Sequence, residues 1–461
     1  MRRQPHTMKT MFLMQTFGRL ISGSITLLVA LALASCGGGG GGAAGGSSTS
    51  YTISATVTGL TGTGLVLQNN AADNRAVAAN GSVTFATGLA SGAAYNVTVS
   101  AAPGAPAQLC TVTSGSGIVA AGNISNIAVT CQNTAIAAYV VNLSGNSISQ
   151  YRVETDGSLT AMAPATVATG LTPNSIAVDP SGRFAYVSND DGTISQYSIA
   201  IDGKLSPMVP ATVLAGLSPS SVVVSPSGAY VYATNESRAI SQYRIGLTGG
   251  LIPLAPATAL AGLTPVSIAI DPSSKYAYVA NSDSNNVSQF AIAADGTLSP
   301  MAIPFVLAGL SPVSVTVDPS GRYVFATNFD GHSISQYTIG IGGSLTPSAV
   351  AFGLCCNLLG IAANPKPDLV NPSARKIYVA DFGANAVFFL TVSGSGVLGI
   401  TMPDLVTLAN PVAVVVDPTG RFAYVTTANN LVVKYNIGSD GTLGSPTTFA
   451  TGMAPVSIAL R

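Results

Sequence analysis

The chain has 461 residues, of which 8% are charged, far below the usual quarter, and its 18 basic residues balance 18 acidic ones. It has no basic stripe and no aromatic cluster beside Lys or Arg, which excludes nucleic acid as a partner. Its length exceeds one ordinary domain, and the abundance of Gly, Ser, Thr, Ala and Val favours an all-β chain of two bodies.

The N-terminus comes first. Arg2, Arg3, Lys9 and Arg19 precede an apolar stretch from Ile25 to Ala34, which is too short to cross a bilayer and reads as a cleavable export signal over residues 1–35. The stretch ends in Leu33-Ala34-Ser35-Cys36, which resembles the lipobox of bacterial lipoproteins. That resemblance implies that Cys36 carries the lipid and that the membrane is a partner through this anchor. With Gly37 next, it further implies delivery to the outer membrane of the cell envelope. Residues 36–50 are Gly/Ser-rich, the composition of a flexible tether. Four basic and no acidic residues lie in the first 36, so the exported chain carries a net charge of about −4.

Residues 51–133 alternate in the strand manner, as in Tyr51-Thr-Ile-Ser-Ala-Thr-Val57 and Tyr95-Asn-Val-Thr-Val99, with Gly, Asn and Pro between runs. They are expected to form a small β-sandwich acting as a spacer. Its pattern is similar to the immunoglobulin-like or transthyretin-like modules of bacterial surface proteins. Cys110 and Cys131 lie at apparent strand ends in a compartment that permits disulfides, and we pair them, at about 3 kcal/mol for a loop of this length.

Residues 135–461 repeat. One unit reads Pro173-Asn-Ser-Ile-Ala-Val-Asp-Pro-Ser-Gly-Arg-Phe-Ala-Tyr-Val-Ser-Asn189, then Thr193 to Ile199, then the hairpin turn Asp202-Gly203. The Asp179 position recurs as Ser225, Asp271, Asp318, Asn371 and Asp417, giving units of about 46 residues with four short strands each, the size of a propeller blade. Second strands centred on Tyr139, Tyr186, Tyr232, Tyr278, Phe325, Tyr378 and Tyr424 make seven blades. The repeat starts without its innermost strand, and residues 455–461 supply one, so this C-terminal strand is expected to close the ring and leave no free edge there. Ser149-Gln-Tyr151 and Ser241-Gln-Tyr243 are read as blade packing, with Tyr between blades and Gln outward.

Tyr186-Val-Ser-Asn189, Tyr232-Ala-Thr-Asn235 and Tyr278-Val-Ala-Asn281 resemble the core of the YVTN-repeat propellers and the lactonase-like (6-phosphogluconolactonase-type) seven-bladed propellers. The resemblance implies a ligand funnel on the face where second strands end. In the lactonases it also implies a Pro-Arg-His at the start of an innermost strand and an Asn-Glu after a second strand. Here the first position reads Pro173-Asn-Ser, Pro219-Ser-Ser, Pro265-Val-Ser, Pro312-Val-Ser or Pro411-Val-Ala, and only Asn235-Glu236 matches the second. Lactone opening needs a proton acceptor and a stabiliser for the oxyanion, so Glu236 with Arg238 is the single catalytic pair the sequence offers.

The funnel face also gathers Asp190, Asp191, Asp283, Asp330 and Asp381, and it is acidic, which disfavours a phosphorylated substrate. Asn142, Asn189, Asn235, Asn281 and Asn328 recur at strand ends, where Asn more often bonds its own turn than a ligand. His332, the only His after the signal, sits in a turn and reads as solvated. Blade six departs from the repeat at Gly353-Leu-Cys-Cys-Asn-Leu-Leu359. Adjacent Cys355 and Cys356 leave either buried thiols, which we favour, or a strained vicinal disulfide. No cofactor and no metal are expected, since zinc would need three or more suitable ligands. The resulting expectation is a non-catalytic envelope propeller that binds a protein or small-molecule ligand, with a lactonase and a structural scaffold as alternatives.

Overall fold

The computed structural model describes residues 49–103, 108–133, 136–348, 352–353, 357–366, 374–394, 396, 398–400, 406–407 and 409–461. Cys36, Cys355, Cys356 and Asn371 lie outside them. Every regular element among the described residues is a strand, and no helix long and apolar enough to cross a membrane occurs among them.

Most of the N-terminal strands form two four-stranded sheets, and Ser50–Tyr51 pairs with Leu89–Ala90 in a separate two-stranded one. Of the four-stranded sheets, one runs, in spatial order, Gly81–Thr84, Ile53–Thr58, Ile124–Asn133 and Gln108–Thr113, and the other Asp73–Val77, Leu65–Asn69, Ala94–Ala101 and Ser116–Ile118. Alternation drives this: Ile53, Ala55 and Val57 face inward on one sheet and Leu65 and Leu67 on the other, and they share a core with Phe85, Val97 and Val129. Cys110 and Cys131 sit opposite each other on adjacent antiparallel strands and are disulfide-bonded.

The repeat folds into seven sheets, of which five are four-stranded; in blades five and six the outermost strand is in two pieces, Leu345–Pro347 with Phe352–Gly353 and Leu398–Ile400 with Val406–Thr407. In blade two the strands are Pro173–Val178, Phe184–Asn189, Thr193–Ile199 and Leu205–Leu214, each antiparallel to the next, and the other blades follow the same order. The innermost strands neighbour one another around a closed ring. Blade one takes its innermost strand from the C-terminus: Pro455–Leu460 pairs with Ala137–Asn142, from Asn142 opposite Pro455 to Ala138 opposite Leu460. The turn after the innermost strand is built by its Asp. Asp179 Oδ1 accepts from the Arg183 and Phe184 amides (2.7 and 2.6 Å) and Oδ2 from Ser181, and the same bonds recur at Asp271, Asp318 and Asp417. In blade six this position is Asn364 rather than Asn371. The Asn364 amide donates to Lys376 O as that of Asp179 donates to Phe184 O, so the seven extra residues follow the position instead of preceding it.

Neighbouring blades are tied by a repeated hydrogen-bond lattice. In every blade but the fifth, which has Phe325 there, the second-strand tyrosine donates its hydroxyl to a hairpin glycine of the next: Tyr139 to Gly203, Tyr186 to Gly249, Tyr232 to Gly296, Tyr278 to Gly343, Tyr378 to Gly441 and Tyr424 to Gly157. These glycines need their left-handed backbone: Gly249 has φ +88°, and a Cβ there would lie 2.2 Å from the Phe184 ring. Third-strand tyrosines reach back the other way, Tyr197 to Ala168 O and Tyr151 to Ala450 O.

The glutamine of Ser-Gln-Tyr does not point outward. Gln150, Gln196, Gln242 and Gln289 are fully or almost fully buried. Each sits where the outer strand bulges, so its amide nitrogen donates to a carbonyl in that bulge, such as Pro164 O (2.8 Å), while its oxygen accepts the Leu205, Leu251, Leu298 or Leu345 amide of the next blade. A side chain with both donor and acceptor satisfies two backbone groups that the bulge and the seam leave unpaired. On the outer edge, Pro164, Pro207, Pro210, Pro253, Pro256, Pro300 and Pro304 interrupt the ten-residue strands and block edge-to-edge pairing.

Candidate functional site

The strand-end asparagines are walled off from solvent. Asn142, Asn189, Asn235, Asn281 and Asn328 are fully buried, and each donates its side-chain amide to a third-strand serine of its own blade: Ser149, Ser195, Ser241, Ser288 or Ser335 (2.8–3.1 Å). Asp381 holds the same position in blade six, paired with Leu358 as Asn328 is with Pro312. There the hydroxyl partners are replaced by Ala386 and Phe388. Oδ1 of Asp381 accepts the Ala384 amide (2.8 Å), but Oδ2 is buried and makes no hydrogen bond among the described residues. Burial pushes its carboxyl above the ordinary range, opposed by the Ala384 and Gly383 amides and by nearby His332.

One residue beyond this buried ring lies a second ring that faces solvent. It comprises Leu143, Asp190, Glu236, Ser282, Phe329, Phe382 and Ala428, all half-buried except exposed Ala428. Each fixes itself by donating its amide to the connector ahead of its blade's innermost strand, as Asp190 to Thr172 O and Phe329 to Ser311 O. In blade three the bond shifts back one residue, from Glu236 to Leu217 O. The ring is two-sided. Blades two to four supply Asp190, Glu236 and Ser282, while blades five to seven and one supply Phe329, Phe382, Ala428 and Leu143.

Most carboxylates on this face are occupied by the chain itself. Asp190 accepts from Ser218 Oγ, Asp191 from the Leu171 amide and Thr193, Asp283 from Thr264 Oγ1 (2.6 Å) and Asp330 from Ser311 Oγ. Glu236 alone among these rim acids receives no hydrogen bond from the described residues. Its carboxyl is raised, first by partial burial and then by Asp190. Arg238 forms no ion pair with it and is exposed, with φ +63°. Arg238 and His332 (φ +45°) occupy the left-handed turn position that is Asn146, Gly192, Asn285, Asn385 and Asn430 elsewhere, so the turn geometry accounts for their placement.

Of the residues that the sequence marks as candidates, the fold brings Asp190 and Glu236 together across blades two and three. Leu143, Phe329 and Phe382 are not among those candidates, although the residue directly after the strand-end Asn of each repeat marks their position. Among the described residues no group of three or more His, Cys, Asp or Glu side chains could hold a metal.

A closed ring of seven β-sheet blades with a rim of loops at the second-strand ends defines a seven-bladed β-propeller. The family described as "Lactonase, 7-bladed beta-propeller" matches residues 127–309, essentially blades one to four. No curated protein matches the chain. Solved structures similar to it include the periplasmic gluconolactonase PpgL of Pseudomonas aeruginosa (19% identity, TM-score 0.59, covering 71% of this chain and 99% of that one). Two putative 6-phosphogluconolactonases are also similar. The one from Bacteroides fragilis has 16% identity and TM-score 0.59, with 71% and 98% covered, and that from Bacteroides uniformis has 16% identity and TM-score 0.61, with 71% and 100% covered. At these identities the likeness is one of fold.

Proposed function

We propose that this chain is a ligand-binding propeller, exported and held at the cell envelope through a lipid on Cys36, whose funnel face takes a small molecule or protein segment without chemical change. The observation that carries the reading is the two-sided rim. Glu236, half-buried and without a hydrogen bond from the described residues, stands on an acidic arc opposite the apolar arc of Phe329, Phe382 and Leu143, an arrangement that orients a ligand having one polar and one apolar side. The anchor reading is supported by Leu33-Ala34-Ser35-Cys36 after a short apolar stretch. A Cys36→Ser variant leaves the membrane fraction if it holds, and stays there if another element does the anchoring.

A second reading is favoured by the state of Glu236. A carboxylate with a raised pKa that accepts no hydrogen bond from the described residues is suited to take a proton from water attacking a lactone carbonyl. With the acidic arc beside it, the better substrate is an unphosphorylated sugar lactone, the class for which the Pseudomonas gluconolactonase is named. The deciding experiment measures D-glucono-1,5-lactone and 6-phosphogluconolactone hydrolysis by the wild type and Glu236→Gln. Background rates from both proteins support binding without catalysis, whereas wild-type turnover that collapses in the variant replaces it with the lactonase reading.

A further inference from the structure

The face opposite the funnel carries the turns that follow the innermost strands, and there the repeat lays a cation over an aromatic ring. Arg183 lies over Phe184 (5.0 Å), Arg322 over Tyr323 (5.2 Å) and Arg421 over Phe422 (4.9 Å). Blade three breaks the pattern twice. Ala229 stands where the arginine belongs, ahead of Tyr230, and Ser225 stands where the turn aspartate belongs. In blade four the cation is Lys275, exposed and not stacked on Tyr276. At this junction a groove of about 530 Å³ is open, lined by Tyr230, Tyr276, Ile292, Ser227, Ser274 and Lys275. That volume is within the range of small-molecule sites.

The walls are held without a ligand. The Ser227 amide donates to Ser274 Oγ (2.9 Å), linking the two turns, and the Tyr230 hydroxyl donates to Ala294 O (2.8 Å). Electrostatically, Lys275 is the one charged residue in the lining. The nearby Asp271 carboxylate is occupied by Ser273 and by the Lys275 and Tyr276 amides, and Asp295, just beyond Ala294, is capped by Thr297. Ser225 reproduces part of the turn's hydrogen bonding by accepting the Tyr230 amide, while removing the negative charge that its counterparts carry.

We propose that this groove binds an aromatic carboxylate, its ring against Tyr230 and Tyr276 and its carboxylate on Lys275 with the Ser227 and Ser274 hydroxyls. The mostly apolar and aromatic lining suits a flat ring, and three polar groups suffice for one acid group. The test is calorimetric titration of the full-length protein with 4-hydroxybenzoate, its neutral isostere 4-hydroxybenzamide and galacturonate. Saturable binding of the benzoate is expected, weakened by roughly tenfold or more both in the amide and in Lys275→Gln, as a charge-assisted contact implies. Ala229→Arg restores the arginine of the other blades and fills the groove, so it abolishes binding with the fold intact by circular dichroism. Glu236→Gln, on the opposite face, leaves binding unchanged. Absence of saturable binding, equal affinity for the amide, tighter binding of galacturonate, or binding that survives Ala229→Arg each overturns the proposal.

Discussion

If the ring closes as one continuous lattice, the seam between blades seven and one must be as strong as an internal seam, and one deleted oxygen tests this. Tyr186 OH donates to Gly249 O at 2.6 Å between blades two and three, and Tyr424 OH donates to Gly157 O at 2.8 Å across the closure. Both hydroxyls are buried, and burial raises both phenols above their ordinary pKa, so they remain donors at any working pH. Changing either Tyr to Phe leaves a carbonyl unpaired without enlarging the side chain, a loss of about 1–3 kcal/mol. Blade five shows that Phe itself is tolerated: Phe325 occupies this position, and the hairpin carbonyl it cannot reach, Gly396 O, accepts from Gln336 Nε2 instead (2.6 Å). Urea unfolding followed by far-ultraviolet circular dichroism should show equal falls in midpoint for Tyr186→Phe and Tyr424→Phe, with unchanged slope. A Tyr424→Phe protein as stable as the wild type, beside a weakened Tyr186→Phe, would falsify the closed-ring account.

Three further outcomes follow from the same structure. Deleting residues 455–461 strips blade one of the strand paired to Ala138–Asn142 and uncovers Tyr139 and Val141, so the truncated protein should lose cooperative unfolding; an unchanged transition refutes the closure. Asp381→Asn should raise stability at pH 7 and change it little at pH 3. A carboxyl whose pKa is raised in the fold contributes stability below its unfolded value, near 4, and loses it as pH rises through the folded value, so the wild type should weaken more than the variant on that climb in urea titrations. Arg238→Gly should add about 0.5–1 kcal/mol by relieving a left-handed non-glycine residue, read as a higher urea midpoint; a lower midpoint would mean that the Arg238 side chain holds the loop.

What the sequence alone determined is whatever repeats. Blade number, strand order and closing strand follow from a period of about 46 residues, because each unit carries its own turn chemistry and cannot bury its faces without a neighbour. Register within the irregular blade was not legible: Asn364 and Asn371 both precede plausible second strands, and only the amide-to-carbonyl bond from Asn364 to Lys376 distinguishes them. The direction of the glutamines was not legible either, since Gln alternates like a surface residue until the outer-strand bulge gives its amide a buried partner. The candidate sites were set by tertiary structure. Asp190 and Glu236 are 46 residues apart in the chain, and Tyr230 and Tyr276 likewise, and they become neighbours only because successive blades stack with equivalent positions side by side. The repeat determines the scaffold, and the few residues that break it acquire meaning only when the ring brings them together.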